Sequence, residues 1–256
     1  MQYIDTHCHL DFPDYDHDRE DVLMRMKEGG VGAITIGTDL ESSKKAIEIA
    51  EANEKIWATI GVHPGDWQDE ETRLAVFDEK EFEKLIQTSK VVGIGECGLD
   101  YFRLRNEEQK KFQKNLLESQ IQFAVKHNKP LMLHVRDAYN DALNILKNYP
   151  TARGNVHFFA GNIEIAKKFL DLGFTMSFTG VITFTGDYDE VIKYVPQNSI
   201  MSETDAPFVA PVPHRGKRNE PVYVIGVVKK LAEIRREDEK TLNKAIISNS
   251  RRVFGV

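Results

Sequence analysis

Histidine and carboxylate side chains follow several short apolar runs of this sequence. His7 and His9 stand two residues apart at the end of the first run, and residues i and i+2 of a strand point to the same side. Imidazole nitrogen is a common ligand of zinc and related divalent metals, so the two histidines could hold one ion together. The same ligand types follow four later runs, as Glu96, His134, His157 and Asp205.

These six side chains are more than one ion with an open catalytic position needs. A pair of ions ~3.5–4 Å apart, bridged by a carboxylate, would use them all. Each histidine taken alone equally fits a structural, hydrogen-bonded role, and His-x-His is a weak motif by itself. The joint pattern favours a centre of two divalent cations, with Mg²⁺, Mn²⁺ and Zn²⁺ left open.

Apolar, β-branched runs alternate with amphipathic charged stretches along the whole chain. The predicted strands are Tyr3–His7, Gly32–Gly37, Ile56–Val62, Val91–Glu96, Pro130–Val135, Asn155–Phe159, Thr175–Phe178 and Ile200–Thr204. The predicted helices are Arg19–Lys27, Ser42–Asn53, Glu79–Thr88, Glu107–Lys126, Ala138–Lys147, Ile163–Leu172, Tyr188–Tyr194, Pro221–Arg235 and Lys240–Val253. Asn162 and Asp187 stand at N-cap positions, and Gly29-Gly30 and Gly173 at helix ends.

This alternation predicts an α/β fold of parallel strands with crossover helices. Eight repeats in 256 residues favour a single-domain (β/α)8 TIM barrel over residues 1–256, with an open doubly wound sheet as the alternative. In a barrel the carboxyl ends of the strands meet at one face, where active sites form. The six ligand types would then converge on one mouth.

Charge and composition limit the partners. The net charge is −6, whereas proteins that track long nucleic acids are usually strongly basic. Any nucleic-acid contact is therefore expected to be local, such as one strand end. The sequence has two cysteines, Cys8 and Cys97, no run of 18 apolar residues and no recognisable signal peptide, so we expect a cytoplasmic protein without a membrane span.

Six segments in family order resemble the TatD family of metal-dependent deoxyribonucleases, within the amidohydrolase-like barrels. They are Ile4-Asp5-Thr6-His7-Cys8-His9-Leu10, Gly61-Val62-His63-Pro64, Gly95-Glu96-Cys97-Gly98-Leu99-Asp100-Tyr101, Leu133-His134-Val135-Arg136-Asp137-Ala138, His157-Phe158-Phe159-Ala160-Gly161 and Glu203-Thr204-Asp205-Ala206-Pro207. Two departures are that the family commonly has Ser in place of Val135 and Cys-Phe-Ser in place of Phe158-Phe159-Ala160. Neither removes a ligand type.

The resemblance implies a distorted (β/α)8 barrel with two metal ions. His7, His9, Glu96 and Asp205 would hold the first ion, and Glu96, His134 and His157 the second, with Glu96 as the bridge. Related barrels join their metals through a carboxylated lysine, but no lysine ends a predicted central strand here. This disfavours dihydroorotase-like and phosphotriesterase-like activities.

The resemblance also implies hydrolysis of DNA phosphodiesters from a 3′ end, with RNA left open, by a monomer. Asp205 would orient or deprotonate the attacking water, and Glu96 would act with it. His63, Arg136 and Arg215 are the candidates for phosphate binding, with Lys217 and Arg218 on the same long loop, Ala206–Glu220. Glu203 is expected to support a ligating histidine rather than to bind metal.

Two alternative functions stay open. The same metal site could hydrolyse an amide or an ester, such as an aminoacyl ester. A closed structural metal site in a non-catalytic interaction module is the second alternative. The aromatic pair Tyr101-Phe102 could stack a terminal base or anchor a loop.

Overall fold

Eight parallel strands form one sheet in which neighbours in the chain are neighbours in space. The computed structural model describes residues 1–65, 76–102, 104 and 106–256. The strands are β1 Tyr3–Cys8, β2 Val31–Ile36, β3 Ile56–Ile60, β4 Val91–Asp100, β5 Leu131–Arg136, β6 Gly154–Val156, β7 Thr175–Phe178 and β8 Ile200–Ser202.

The sheet closes between β8 and β1, mainly beyond the last residue of β8. Asp205 N–H donates to the His7 carbonyl (2.9 Å) and His9 N–H to the Ala206 carbonyl (2.8 Å). Lower down, Thr6 Oγ1 donates to the Ser202 carbonyl (3.0 Å). The predicted TIM barrel, formed by a single domain, is confirmed.

Nine helices occur in the described residues and surround the barrel: α1 Arg19–Glu28, α2 Leu40–Ala52, α3 Glu79–Leu85, α4 Glu107–Lys126, α5 Tyr139–Leu146, α6 Ile163–Asp171, α7 Asp189–Tyr194, α8 Val224–Arg235 and α9 Glu239–Phe254. The first turn predicted for α8 is instead a separate 3-10 turn, Pro221–Tyr223. No helix of the described ranges is long and apolar enough to cross a membrane.

Helix ends test the predicted caps. The Asn162 side chain accepts from Ile165 N–H and caps α6, as expected. The prediction for Asp187 was wrong: the chain enters α7 through Tyr188, whose side chain makes no capping bond. Gly30 and Gly173 adopt φ of 67° and 82° after α1 and α6, the left-handed conformation expected at these ends.

The barrel interior is apolar at one level and polar at the next. Ile34, Ile36, Met132 and Met201 fill it and pack with Phe254 from the end of α9. Nearer the mouth, Asn155 Nδ2 donates to Ser177 Oγ (2.6 Å), and Ser177 Oγ in turn donates to Glu203. A hydrogen-bonded chain therefore leads from the barrel interior to its carboxyl end.

Strands β2, β3, β6 and β8 end one to three residues earlier than predicted, and the last two bear on the site. β6 stops at Val156 and β8 at Ser202, so His157 and Asp205 lie in the segments that follow rather than on strands. Phe158 and Asp205 adopt φ of 43° and 55°, a conformation that non-glycine residues take only where surrounding contacts hold them. These turns point the chain across the mouth.

Candidate metal centre

β4 leaves its neighbour β3 near the mouth and turns inward. Pairing between the two strands ends at Ile60 and Ile94, and Glu96 N–H donates across to the Gly37 carbonyl (2.8 Å) after β2. A Cβ at Gly61 would lie 2.7 Å from Gly95 Cα, so the close approach requires glycine. Glu96 is thereby carried to the centre of the mouth, where it is 3 % exposed.

Two buried glutamines of α4 fill the gap that β4 leaves. Gln120 Oε1 accepts from Val62 N–H (2.8 Å), and its Nε2 donates to the Val62 carbonyl (2.9 Å). Gln113 Oε1 accepts from Asp100 N–H (2.9 Å), and its Nε2 donates to the Pro64 carbonyl (2.8 Å). The side-chain amides replace a neighbouring strand on both sides of His63.

A first group of four donor atoms surrounds one point of the mouth. His7 Nε2 and His9 Nε2 are 3.3 Å apart, and each lies 3.5–3.7 Å from Glu96 Oε2 and Asp205 Oδ1. Atoms that each lie about 2.1 Å from one tetrahedral zinc ion are about 3.4 Å apart, and these five distances match that separation. The four side chains therefore fit a divalent cation.

A second group surrounds the other oxygen of Glu96. Glu96 Oε1 lies 2.9 Å from His134 Nδ1 and 2.8 Å from His157 Nε2, and these two nitrogens are 3.1 Å apart. One carboxylate thus presents one oxygen to each group. This is the geometry that a bridging ligand between two ions requires.

Further residues fix the histidine rings. His9 Nδ1 lies 3.2 Å from the Ile36 carbonyl, so it carries the proton and leaves Nε2 free. His157 Nδ1 lies 3.4 Å from Glu203 Oε1, which also accepts from Phe158 N–H (2.7 Å). Glu203 is fully buried and lies behind His157 at ion-pair distance from Nδ1, which has no hydrogen-bond partner among the described residues.

Sequence reasoning overlooked Asp100. Its Oδ2 lies 3.2 Å from His134 Nε2, opposite the nitrogen that faces Glu96. The resembling segment already contained Asp100, and a carboxylate four residues after a proposed ligand on an extended strand was the available signal. The side chain is suited to orient the His134 ring.

His63 lies inside the centre rather than at its outer edge. Its Nδ1 accepts from Gly65 N–H (2.9 Å), so the neutral ring carries its proton on Nε2, which is 3.5 Å from Glu96 Oε1. Burial lowers the pKa of His63 to about 4. The ring is therefore a neutral hydrogen-bond donor at neutral pH, not a cation.

The three predicted loop and strand-end arginines are differently placed. The Arg136 guanidinium stacks on the exposed ring of Phe102, with 3.7 Å from Cζ to the ring centroid. Arg215 stacks on Phe184 (4.0 Å) and has no contact with either donor group. Arg218 forms two hydrogen bonds to Asp18 (2.7 and 2.6 Å).

The suggested phosphate role of Arg218 is therefore replaced by a structural one, because its guanidinium is already paired. Tyr101, half of the proposed stacking pair, is anchored through its hydroxyl to Asp141 (2.8 Å). Phe102 remains 56 % exposed beside the mouth.

Charges in the mouth favour ionised carboxylates. Burial opposes ionisation of Glu96, but its interactions with the surrounding histidines, His157 above all, outweigh burial and hold the pKa of Glu96 well below its usual range. Burial likewise opposes ionisation of Asp205, but the neighbouring histidines, His9 foremost, lower its pKa. The site thus mixes two anionic oxygen donors, the ligand type of Mg²⁺ and Mn²⁺, with several imidazoles, the ligand type of Zn²⁺.

Known proteins are similar to this chain in sequence and in fold. The sequence model of the family described as "TatD related DNase" matches residues 4–255. A protein of Bacillus subtilis strain 168, named uncharacterized metal-dependent hydrolase YabD, is 36% identical over 257 residues, which cover 98% of each chain. The crystal structure of YjjV, a TatD homologue from Escherichia coli K12, superposes with a TM-score of 0.89 at 30% identity and covers 100% of this chain and 98% of that one.

A TatD family hydrolase from Entamoeba histolytica is also similar, with a TM-score of 0.86 at 27% identity, 99% of this chain and 98% of that chain being covered.

Proposed function

The chain belongs to the TatD-related DNase family, whose similar curated relatives are named metal-dependent hydrolases, and from this membership we propose that it is a metal-dependent deoxyribonuclease. The observation that carries the proposal is the position of Glu96, with one carboxylate oxygen in each of two donor groups. The reaction proposed is hydrolysis of a phosphodiester bond.

In the proposed centre, His7, His9, Glu96 and Asp205 would hold one divalent cation, and Glu96, His134 and His157 would hold a second. When bound, divalent cations lower the pKa of water and neutralise charge on the phosphodiester oxygens. Glu203 and Asp100 keep the His157 and His134 rings oriented from behind.

Asp205 is the catalytic carboxylate of the proposal. Its side chain is 13 % exposed, so it borders the open part of the mouth while one oxygen faces the first donor group. Because its pKa is lowered, it is ionised at neutral pH and a weak base. Its main task is then to orient the attacking water, with Glu96 holding the two halves of the centre together.

Substrate phosphate is held by neutral and cationic donors on the β3–β5 side. His63 Nε2–H is directed into the centre and can donate to a phosphate oxygen. The Arg136 guanidinium lies on Phe102 at the rim, two residues beyond His134. Arg215 stays a candidate on the opposite loop. A net charge of −6 favours a small footprint on a 3′ strand end over contacts along a duplex.

The test is metal removal and replacement. The protein is stripped of metal with a chelator and assayed on 3′-labelled single-stranded DNA before and after Mg²⁺, Mn²⁺ or Zn²⁺ is restored. Metal-dependent release of nucleotides is expected, with loss of at least about 100-fold in Glu96→Ala, since an anionic bridge is removed.

Glu51→Ala, at an exposed position of α2, is the matched control and should retain activity. Retained activity in Glu96→Ala would contradict the mechanism. Hydrolysis of amide or aminoacyl ester substrates in a parallel panel, without cleavage of DNA or RNA, would replace the nuclease by the alternative hydrolase.

A further inference from the structure

A cleft opens beside the candidate metal centre, between the segment after β1 and the start of α2. It has a volume of about 510 Å³ and is lined by Asp11, Phe12 and Thr38 together with residues of α2. The Phe12 ring stacks on the His9 imidazole, with 4.4 Å between ring centroids. The cleft therefore begins one aromatic ring away from the first donor group.

Asp11 lines this cleft and carries a buried hydrogen-bond acceptor. The residue is 3 % exposed, and its Oδ1 has no hydrogen-bond partner among the described residues. A buried carboxylate oxygen without a partner is costly, so such groups usually mark a place where a donor binds. The nearby lysines already have ion-pair partners other than Asp11, since Lys45 pairs with Asp16 (3.1 Å) and Lys44 with Glu41 (2.7 Å).

The charge of the cleft disfavours phosphate as its occupant. Four carboxylates and two ammonium groups line it: Asp11, Asp39, Glu41 and Glu48, with Lys44 and Lys45. An uncharged group that donates hydrogen bonds through N–H fits these surroundings. A nucleobase with an exocyclic amino group does so, because aspartate accepts from cytosine N4, and bases stack on aromatic rings such as that of Phe12.

We propose that this cleft binds a nucleobase bearing an exocyclic amino group, with Asp11 as the acceptor. The inference rests on the proposed nuclease function, since the attached phosphodiester would lie at Glu96. Thymine presents a carbonyl oxygen where cytosine presents its amino group, and that oxygen faces the carboxylate unfavourably. The cleft therefore selects cytosine over thymine next to the scissile bond.

The first experiment compares two single-stranded oligonucleotides that differ only in their last two 3′ residues, dC or dT. The wild-type protein should cleave the dC form with a kcat/KM about 10-fold higher. Asp11→Asn should bring the ratio to about 1, because the amide can donate to thymine O4. Glu48→Gln, which removes the same charge from the exposed rim of the cleft, should keep the wild-type ratio.

No preference in the wild-type protein would overturn the proposal without any variant being needed. Equal slowing of both substrates in Asp11→Asn, with an unchanged ratio, would also overturn it, because that result assigns Asp11 a positioning role beside His9.

The second experiment separates this proposal from the nuclease function. Calorimetry measures binding of deoxycytidine and thymidine 5′-monophosphates to the metal-loaded protein. Tighter binding of the cytidine nucleotide, lost in Asp11→Asn, supports the cleft even if no DNA is cleaved. Equal binding of the two nucleotides overturns the proposal even if DNA is cleaved. The proposal is also overturned if the two nucleotides bind alike and the protein instead binds putrescine in a way that Asp11→Asn abolishes.

Discussion

At the scale of single residues, the centre depends on Glu96, whose two carboxylate oxygens face different groups of histidines. Glu96 directs Oε2 to His7 and His9 and Oε1 to His134 and His157. The same division recurs at Asp100, whose Oδ1 accepts from Phe102 N–H (3.0 Å) while Oδ2 faces His134. Each carboxylate thus contacts two different parts of the site, one through each oxygen.

Asp100→Asn is expected to weaken metal binding by about 10- to 100-fold, because His134 loses the partner that orients its ring. Metal affinity measured by competition with a chromophoric chelator checks this. Asp171→Asn, on the exposed end of α6, should bind metal like the wild type. Unaltered affinity in Asp100→Asn would limit Asp100 to holding the backbone of Phe102.

Arg136→Ala is expected to raise KM for oligonucleotides and to reduce the slope of log KM against log salt by about 1, the effect of one lost phosphate contact. The measurement is a salt series of steady-state rates. A changed kcat with the same salt slope would contradict a phosphate contact and favour a role in positioning Phe102.

At the scale of elements, α4 completes a sheet that it does not belong to. β4 must leave β3 to bring Glu96 into the mouth. This departure would leave the backbone polar groups of Val62 and Asp100 without hydrogen-bond partners. Gln120 and Gln113, seven residues apart and so on one face of the helix, accept and donate the missing bonds. The position of Glu96 in the mouth therefore depends on these two glutamines.

Gln120→Leu is expected to destabilise the fold by about 2–4 kcal/mol, because two buried backbone groups of Val62 lose their partners. Urea unfolding measures the change. Gln122→Leu, on the exposed side of the same helix, is the matched control and should change stability by less than about 0.5 kcal/mol. Equal effects of the two substitutions would show that helix propensity, not the Val62 bonds, determines the result.

At the scale of the whole molecule, the barrel closes through the segment that carries Asp205, and the long loop that follows is tied to the first turn of the chain. Tyr15 donates to the Asn219 carbonyl (2.6 Å), and Asn219 Nδ2 donates to the Thr204 carbonyl (3.0 Å). Arg218 adds its paired bonds to Asp18. The loop after β8 is therefore part of the closure as well as a wall of the mouth.

Arg218→Ala is expected to lower the midpoint of thermal unfolding by about 3–6 °C, which corresponds to about 1–2 kcal/mol for a chain of this size. KM for DNA should stay at the wild-type value, since the guanidinium is already paired. Calorimetric melting and steady-state kinetics check both parts.

The effect should depend on pH. The hydrogen bond from Arg218 holds the pKa of Asp18 below its ordinary 3.8, so the pair stabilises the fold above that pH and its contribution is lost as pH falls through the lowered pKa. The difference between wild type and variant should be full at pH 7 and shrink below about pH 3.8. A difference independent of pH would assign the effect to the stacking of Arg218 on Tyr15.

Much of this architecture could be predicted because the candidate metal ligands stand at the ends of the predicted strands. His7, His9, Glu96 and His134 follow apolar runs directly, and periodicity locates such runs. Asp100, Gln113 and Gln120 could not be assigned in this way. Their roles follow from the departure of β4 from β3, a tertiary event that leaves no periodic trace, and the early ends of β6 and β8 arise similarly from turns held by distant groups such as Glu203.

The amides of α4 have a consequence for exchange with solvent. In an ordinary sheet, the N–H groups of Val62 and Asp100 would be protected by neighbouring strands and would exchange only when the barrel opens. Here each is protected by a helix side chain. Their deuterium uptake should therefore follow local undocking of α4, ahead of strand amides such as Ile94. The exchange rates of these two N–H hydrogens would then report how often α4 undocks from the barrel.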